Sequence, residues 1–242
     1  MSETFPYLGE HEYRRVTFPL PSEAGPDGLL AVGGNLSPGV LLAAYSQGVF
    51  PWYSHGEPIL WWSPDPRFVL FPAELHIPKS LRRTLNRGRF RYTFDRAFSE
   101  VIAGCSESPR AEQAGTWITD EMISGYVELH QLGYAHSLEV WDSDRLAGGL
   151  YGVSLGGMFF GESMFARVPD ASKAGFVTFV KLLEERGFDC IDSQMYTEHL
   201  DRFGARDMDR SEFLELLSAS LKRPTLKGDW QELLGSPRFG GH

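Results

Sequence analysis

The chain has 242 residues and a mass of 27.2 kDa, which allows one large domain or two small ones. Hydrophobic residues make up 42% of it and charged residues 23%, which excludes a disordered or low-complexity protein. The net charge of −9 argues against a protein that coats nucleic acid through overall basicity.

The sequence also indicates a compartment. No apolar stretch approaches the roughly 20 residues that a membrane helix needs. The acidic residues and Pro6 near the start predict no secretory signal. The two cysteines, Cys105 and Cys190, form no C-x-x-C pair, so neither a disulfide framework nor a four-ligand zinc site is expected. These features favour the reducing cytoplasm.

The first quarter of the chain predicts a small N-terminal domain. Ser37 and Pro38 are typical of a helix start, and Gly48 marks its end after a run of apolar residues. Two aromatic segments, 50–53 and 59–62, follow in loops. Pro64 and Pro66 then interrupt regular structure, which predicts a domain boundary that separates residues 1–65 from residues 66–242.

The larger part of the chain predicts an α+β fold with a mixed, mainly antiparallel sheet. We expect helices over 78–87, 95–104 and 119–133, and a three-stranded meander over 135–166. A helix over 171–187, a strand over 188–193 and a last helix over 210–222 follow. Asp209 and Glu212 have the spacing of a capping box for that helix, and the polar tail after Pro224 is expected to be loosely held.

A basic stripe lies on the helix predicted over 78–87. Six cations and no acid occur between Lys79 and Arg91. Helical spacing places four of them on one face: Lys79, Arg82, Arg83 and Arg87. Such a stripe on an acidic protein indicates a local phosphate-binding surface, while the alternative is an ordinary solvated helix face.

Tryptophans form a second feature, because four of the six fall in segments rich in Pro, Gly or Thr: Trp52, Trp61, Trp62 and Trp117. Exposed loop tryptophans beside a basic stripe are typical of surfaces that stack on nucleobases. Tryptophans that fill the seam between two domains would give the same pattern.

Polar residues at strand ends are candidates for chemistry. Glu162 follows the apolar pair Phe159–Phe160, and Asp192 with Gln194 follows Ile191. A partly desolvated carboxylate there could hold or deprotonate an amine, although turn and capping chemistry explains such residues equally well. The histidines show no metal-ligand spacing, and no phosphate-binding glycine loop is present, so we expect neither a metal nor a cofactor.

Seven segments together resemble the bacterial leucyl/phenylalanyl-tRNA–protein transferases: GLLAVGGNLSPGVLLAAYSQGVFPWYS, ILWWSPDPR, GTWITDEMISGY, GGLYGV, FFGESMF, ASKAGF and IDSQ. The resemblance implies an aminoacyltransferase with a small N-terminal domain and a larger domain similar to GNAT acyltransferases. Such enzymes move Leu or Phe, and Met less well, from aminoacyl-tRNA to an N-terminal Arg or Lys, which marks the acceptor for degradation. A monomer that needs no cofactor and no membrane is expected.

The resemblance also assigns roles to residues. It implies that Trp52, Trp117 and Tyr126 hold the terminal adenosine of the tRNA and that the basic stripe meets its acceptor stem. It places Glu162, Asp192 and Gln194 at the reaction site. The amino-acid pocket is expected to include four apolar side chains: Phe159, Phe176, Phe179 and Ile191.

Asp192 and Gln194 form the sharpest mechanistic hypothesis. In an extended chain, side chains two residues apart face the same side, so this carboxylate and amide could orient an incoming amine together. Two other classes of protein compete with the transferase. An acetyl-CoA-dependent acetyltransferase should carry a pyrophosphate-binding loop that this sequence lacks, and a noncatalytic RNA-binding module would leave Glu162, Asp192 and Gln194 without a role.

Overall fold

A computed structural model describes residues 5–108 and 118–235 of the chain. The helices are α1 (Pro38–Ser46), α2 (Lys79–Asn86), α3 (Phe98–Glu107), α4 (Asp120–Gln131), α5 (Ala171–Glu185), α6 (Glu198–Asp201), α7 (Arg210–Ser220) and α8 (Trp230–Leu234). The strands are β1 (Leu29–Val32), β2 (Phe50–Pro51), β3 (Leu60–Trp62), β4 (Arg67–Leu70), β5 (Arg91–Phe94), β6 (Ala135–Asp142), β7 (Arg145–Leu155), β8 (Met158–Ala166), β9 (Cys190–Asp192) and β10 (Arg206–Met208).

The small N-terminal domain is built on α1 and a three-stranded antiparallel sheet of order β1–β3–β2. The α1 helix starts after Ser37 with a proline in its first turn, as predicted, and all residues from Pro38 to Tyr45 are buried. The hydroxyl of Ser37 does not cap its own helix. It accepts a hydrogen bond from the N–H of Leu8 at 3.1 Å and so fixes the preceding segment against α1.

The larger domain contains a seven-stranded sheet of order β10–β4–β9–β8–β7–β6–β5. The predicted meander is confirmed as β6, β7 and β8. The connection through α5 brings β9 beside β8 in parallel, and the other neighbouring strands in this sheet are antiparallel. The predicted α+β class with a mixed, mainly antiparallel sheet is therefore confirmed.

The sheet separates two hydrophobic cores. Successive side chains of a strand point to opposite faces, so Phe159 and Phe160 of β8 belong to different cores. The face of Phe160 packs against α1, α3, α4 and α7, while the face of Phe159 packs against α2, α5 and α8.

Helix ends show two further outcomes. Thr119 caps α4 as predicted, because its side chain accepts a hydrogen bond from the N–H of Met122. The capping box predicted for α7 is wrong, since the side chain of Asp209 makes no capping hydrogen bond. The first N–H of α7, that of Arg210, instead donates to the carboxylate of Asp65 at 3.0 Å.

The prediction of a loosely held tail after Pro224 is also wrong for the described residues. The short helix α8 places Trp230 in the second core with no exposed surface. Its indole stacks on His136 at 3.9 Å between ring centres, and its backbone N–H donates to the carboxylate of Asp95 at 2.8 Å. Burial of this one large aromatic side chain fixes a segment that is otherwise polar. The polar composition on which the prediction rests is therefore a poor guide here.

Candidate active site

Two adjoining cavities open where β8 extends beyond the end of β9. The parallel pairing of these strands ends at Phe160 and Asp192, but β8 continues to Ala166. The larger cavity has a volume of about 340 Å³ and the smaller about 160 Å³. Four residues line both: Glu162, Ser193, Gln194 and Thr197. A group bound in one cavity would therefore meet a group bound in the other beside these side chains.

The wall of the larger cavity is mainly apolar. All four side chains predicted for the amino-acid pocket line it: Phe159, Phe176, Phe179 and Ile191. They come from β8, α5 and β9, and they belong to the core on the α5 face of the sheet. The rings of Phe159 and Phe179 lie 4.6 Å apart in an edge-to-face contact. A cavity with this lining suits an apolar group and leaves a polar one without partners.

On the side away from the cavities, two buried tyrosines hydrogen-bond to the Glu162 carboxylate. Tyr45 of α1 donates to Oε1 at 2.7 Å, and Tyr126 of α4 donates to Oε2 at 2.9 Å. The two phenol hydroxyls also contact each other. Burial raises the pKa of the Glu162 carboxyl to about 7, although both tyrosine hydrogen bonds favour the ionised form. The side chain keeps a partly exposed surface toward the cavities.

Asp192 has a different environment. Its carboxylate is fully buried and lines neither cavity. Arg67 forms a bidentate ion pair with it, in which Nε donates to Oδ1 at 2.8 Å and Nη2 donates to Oδ2 at 2.7 Å. The guanidinium also donates to the carbonyl of Gly48 at 3.1 Å and lies within 5 Å of the rings of Phe50 and Phe213.

The extended geometry predicted for Asp192 and Gln194 is wrong. The strand ends at Asp192, and Gln194 has a φ of 60°, in the left-handed region. Asp192 stabilises this turn, because its Oδ1 accepts the N–H of Gln194 at 2.9 Å. The turn aims the Gln194 side chain at both cavities, where its buried Nε2 has no hydrogen-bond partner among the described residues. The two side chains thus face different surroundings.

The residues predicted to hold an adenosine are dispersed. Trp52 is half-buried and lines the smaller cavity. Tyr126 is fully buried, lines neither cavity, and reaches the site only through Glu162. Trp117 lies outside the described residues. The predicted exposure of Trp61 is wrong: only 2% of it is exposed, because Phe18 packs against its ring at 5.0 Å.

The basic stripe is fully displayed on the surface. Leu81 and Leu85 anchor α2 in the core on the α5 face. The four predicted cations are exposed, and within residues 5–108 and 118–235 none of them forms an ion pair: Lys79, Arg82, Arg83 and Arg87. Arg89, by contrast, pairs with Asp142. The positive charge of the stripe is therefore not neutralised by neighbouring acids.

Other features of the described chain concern alternative chemistries. No group of three His, Cys, Asp or Glu side chains in these residues could hold a metal ion. The same residues contain no helix long and apolar enough to cross a membrane. Burial raises the pKa of the Cys190 thiol well above its ordinary value, so this cysteine is a core residue and a poor nucleophile.

Sequence reasoning missed two residues of the site. Tyr45 belongs to the apolar run of α1, and nothing in that pattern distinguishes it from a core side chain. Arg67 ends the WWSPDPR segment and is itself the first buried residue of β4. The burial of Arg67, and with it the need for a buried anion, becomes visible only in the folded structure, so no local signal pointed to Asp192 as its partner.

An apolar cavity that opens beside a carboxylate of raised pKa and an amide has the features of an enzyme active site. The family model described as "Leucyl/phenylalanyl-tRNA protein transferase" matches residues 69–218, and the model of the N-terminal domain of that family matches residues 34–65. The chain belongs to this family, and it is a transferase.

Relatives that carry the family name match nearly the whole chain. The leucyl/phenylalanyl-tRNA–protein transferase of Anaeromyxobacter dehalogenans (strain 2CP-C) is 59% identical over 225 residues, which cover 93% of this chain and 97% of the relative. That of Myxococcus xanthus (strain DK1622) is 56% identical, with 93% and 96% covered. That of Stutzerimonas stutzeri (strain A1501) is 57% identical, with 85% and 90% covered.

The buried ion pair predicts a large stability effect. Arg67→Met keeps most of the side-chain volume but leaves the Asp192 carboxylate buried without its partner, so unfolding free energy should fall by about 3–5 kcal/mol. Urea unfolding followed by circular dichroism measures this. Arg202→Met, which removes the exposed partner of Glu198, is the control and should cost at most about 1 kcal/mol. Equal losses in the two variants would contradict the importance assigned to the buried pair.

Proposed function

We propose that the protein transfers leucine or phenylalanine, and methionine less well, from aminoacyl-tRNA to the N-terminal arginine or lysine of acceptor proteins. The transfer would mark acceptors for degradation through an N-degron pathway in the cytoplasm, and the enzyme would act as a monomer. The observation that carries this proposal is the apolar cavity whose opening is lined by Glu162 and Gln194. Membership of the family supports it.

The larger cavity suits the aminoacyl side chain. Its volume of about 340 Å³ and its aromatic and aliphatic wall match the size and chemistry of Leu or Phe. A charged or strongly polar side chain would lose its hydration there without gaining partners. The polar groups that line the opening remain available to bind the ester and the attacking amine.

The smaller cavity suits the terminal base of the tRNA. In an aminoacyl-tRNA the ester joins the amino acid to the terminal ribose, so the base must bind close to the side-chain cavity. The smaller cavity shares its polar residues with the larger one and has Trp52 in its wall. An indole in that position can stack on a base of any sequence. We assign Tyr126 to the support of Glu162 in place of direct contact with the adenosine.

The basic stripe suits the acceptor stem. Three of its four exposed cations lie on α2 and the fourth, Arg87, directly follows it; α2 packs against α5, one of the elements that form the larger cavity. Phosphate contacts of this kind supply affinity and orientation without reading sequence. Outside the basic stripe, acidic residues outnumber basic ones, and the resulting negative charge suits an acceptor that begins with Arg or Lys.

The chemistry asks the protein chiefly for positioning. An aminoacyl ester is already activated, so its carbonyl carbon and a neutral amine need to be held within roughly 3 Å of each other. The buried Nε2 of Gln194 can donate to the ester carbonyl oxygen, where negative charge develops during attack. Asp192 acts through the turn that it stabilises and is therefore a positioning residue in this proposal.

A transfer assay tests the proposed function directly. The protein is incubated with tRNA charged with labelled Leu and with a peptide that begins with Arg, in the absence of coenzyme A. We expect label in the peptide, and none in a matched peptide that begins with Glu. An acetyl-CoA-dependent enzyme or a noncatalytic RNA-binding module would transfer nothing under these conditions, and that result would overturn the proposal.

The role of the basic stripe predicts a donor-dependent defect. Arg82→Glu with Arg83→Glu should raise the Kd for aminoacyl-tRNA and reduce the salt slope by roughly 1 per lost phosphate contact. Transfer from aminoacyl-adenosine, which lacks an acceptor stem, should change little. The control is Arg14→Glu with Arg15→Glu, an adjacent exposed pair in the N-terminal domain. Equal losses with both donors would show that the stripe is structural.

The cavity wall predicts a change in amino-acid preference. Phe179→Leu removes side-chain volume from the wall and so enlarges the larger cavity, and kcat/KM for Phe should therefore rise relative to that for Leu, by roughly tenfold. Competition between Phe-tRNA and Leu-tRNA measures the ratio. Phe98→Leu makes the same change in the other core, outside both cavities, and should leave the ratio unaltered. An unchanged ratio in folded Phe179→Leu protein would remove this residue from the pocket.

A further inference from the structure

A cluster of one carboxylate and two phenols lies at the junction of the two cavities. Glu162 lines both cavities, while Tyr45 and Tyr126 are fully buried behind it. Each phenol donates to a different carboxylate oxygen, at 2.7 and 2.9 Å. A carboxylate oxygen has two lone pairs, so both oxygens keep the capacity to accept a further hydrogen bond from the side of the cavities.

The charges around this cluster come from several elements. Asp192 of β9 and Arg67 of β4 act on Glu162 with opposite signs, and they are paired with each other. Tyr151 of β7 packs its ring against Tyr126 at 5.6 Å between ring centres. Burial dominates the outcome and raises the pKa of Glu162 to about 7. It also raises the pKa of both phenols well above the ordinary value, so they remain protonated donors.

Asp192 lacks the access that a proton acceptor needs. Its two oxygens are bound by Arg67 and by the N–H of Gln194, and its side chain has no exposed surface. A general base must come within hydrogen-bond reach of the proton that it removes. Of the two carboxylates at the site, Glu162 alone faces the space where an amine and an ester can meet.

We propose that Glu162 is the catalytic residue that accepts the proton of the attacking amine, and that Tyr45 and Tyr126 are its positioning residues. This inference rests on the proposed aminoacyl transfer. The amine nitrogen forms a bond to the ester carbonyl carbon, and the bond from that carbon to the ribose oxygen breaks. The proton passes from nitrogen to Glu162 and then to the departing ribose oxygen, so the enzyme returns to its starting state.

The acid–base properties suit this role. An α-amino group titrates near pH 8 and general bases work best with a pKa near the working pH. Each tyrosine hydroxyl stabilises the ionised form of Glu162, so loss of one hydroxyl must raise the pKa of the carboxyl. A tyrosine that merely filled space would have no such effect.

The test is the pH dependence of kcat at saturating Leu-tRNA and Arg-peptide. For the wild-type protein, kcat should rise through about pH 7. In Tyr45→Phe this rise should move to higher pH, so that the variant is impaired more at about pH 6.5 than at about pH 8.5. Glu162→Gln should reduce kcat by roughly 10²–10⁴-fold with little change in the KM for tRNA. Tyr92→Phe, a buried tyrosine outside both cavities, is the control and should follow the wild type.

The possible results are separable. The acceptor amine titrates identically in every reaction, so only differences between variants are interpreted. Absence of transfer by the wild-type protein would overturn the proposed function itself. If the wild type transfers leucine while the Tyr45→Phe profile superimposes on that of Tyr92→Phe, the assignment of Glu162 as base is overturned. Tyr45→Phe removes one oxygen atom only, so it decides the question even if Glu162→Gln does not fold.

Discussion

The ion pair between Arg67 and Asp192 is the interaction on which the site depends. It joins two neighbouring strands of the large sheet, β4 and β9, and both side chains are buried from water. Removing two charges from water costs several kcal/mol per ion, so the pair is retained only where its geometry and further hydrogen bonds compensate. Here the compensation is extensive. Arg67 also binds the Gly48 carbonyl, and Asp192 also binds the N–H of Gln194.

This arrangement connects the small domain to the candidate active site. Gly48 and Phe50 come from the N-terminal part of the chain, and both contact the guanidinium of Arg67. Tyr45 makes a second connection through its hydrogen bond to Glu162. The N-terminal domain therefore supports the polar groups of the site, and it also supplies Trp52 to the wall of the smaller cavity.

Much of the fold could be predicted because the local spacing of apolar residues determines which segments form helices and strands. The meander and α5 follow from alternation and helical spacing, and three of the four apolar residues predicted for the larger cavity lie on those elements, while Ile191 lies on β9. The ion pair could not be predicted in this way, since its partners lie 125 positions apart and only the tertiary fold brings them together. The left-handed turn at Gln194 was missed for a related reason. A non-glycine residue adopts that conformation only where its surroundings hold it.

The position of Trp230 has a consequence for how the enzyme is made. Its indole contacts Phe159 and Phe179, both of which form the wall of the larger cavity. Polypeptides are synthesised from the N-terminus, and their early parts begin to fold while later parts are still being made. The small domain and the meander precede Trp230 in the chain and can begin to assemble first. The wall of the larger cavity therefore gains its supporting layer only after residue 230 has been synthesised, so this cavity is completed late in synthesis.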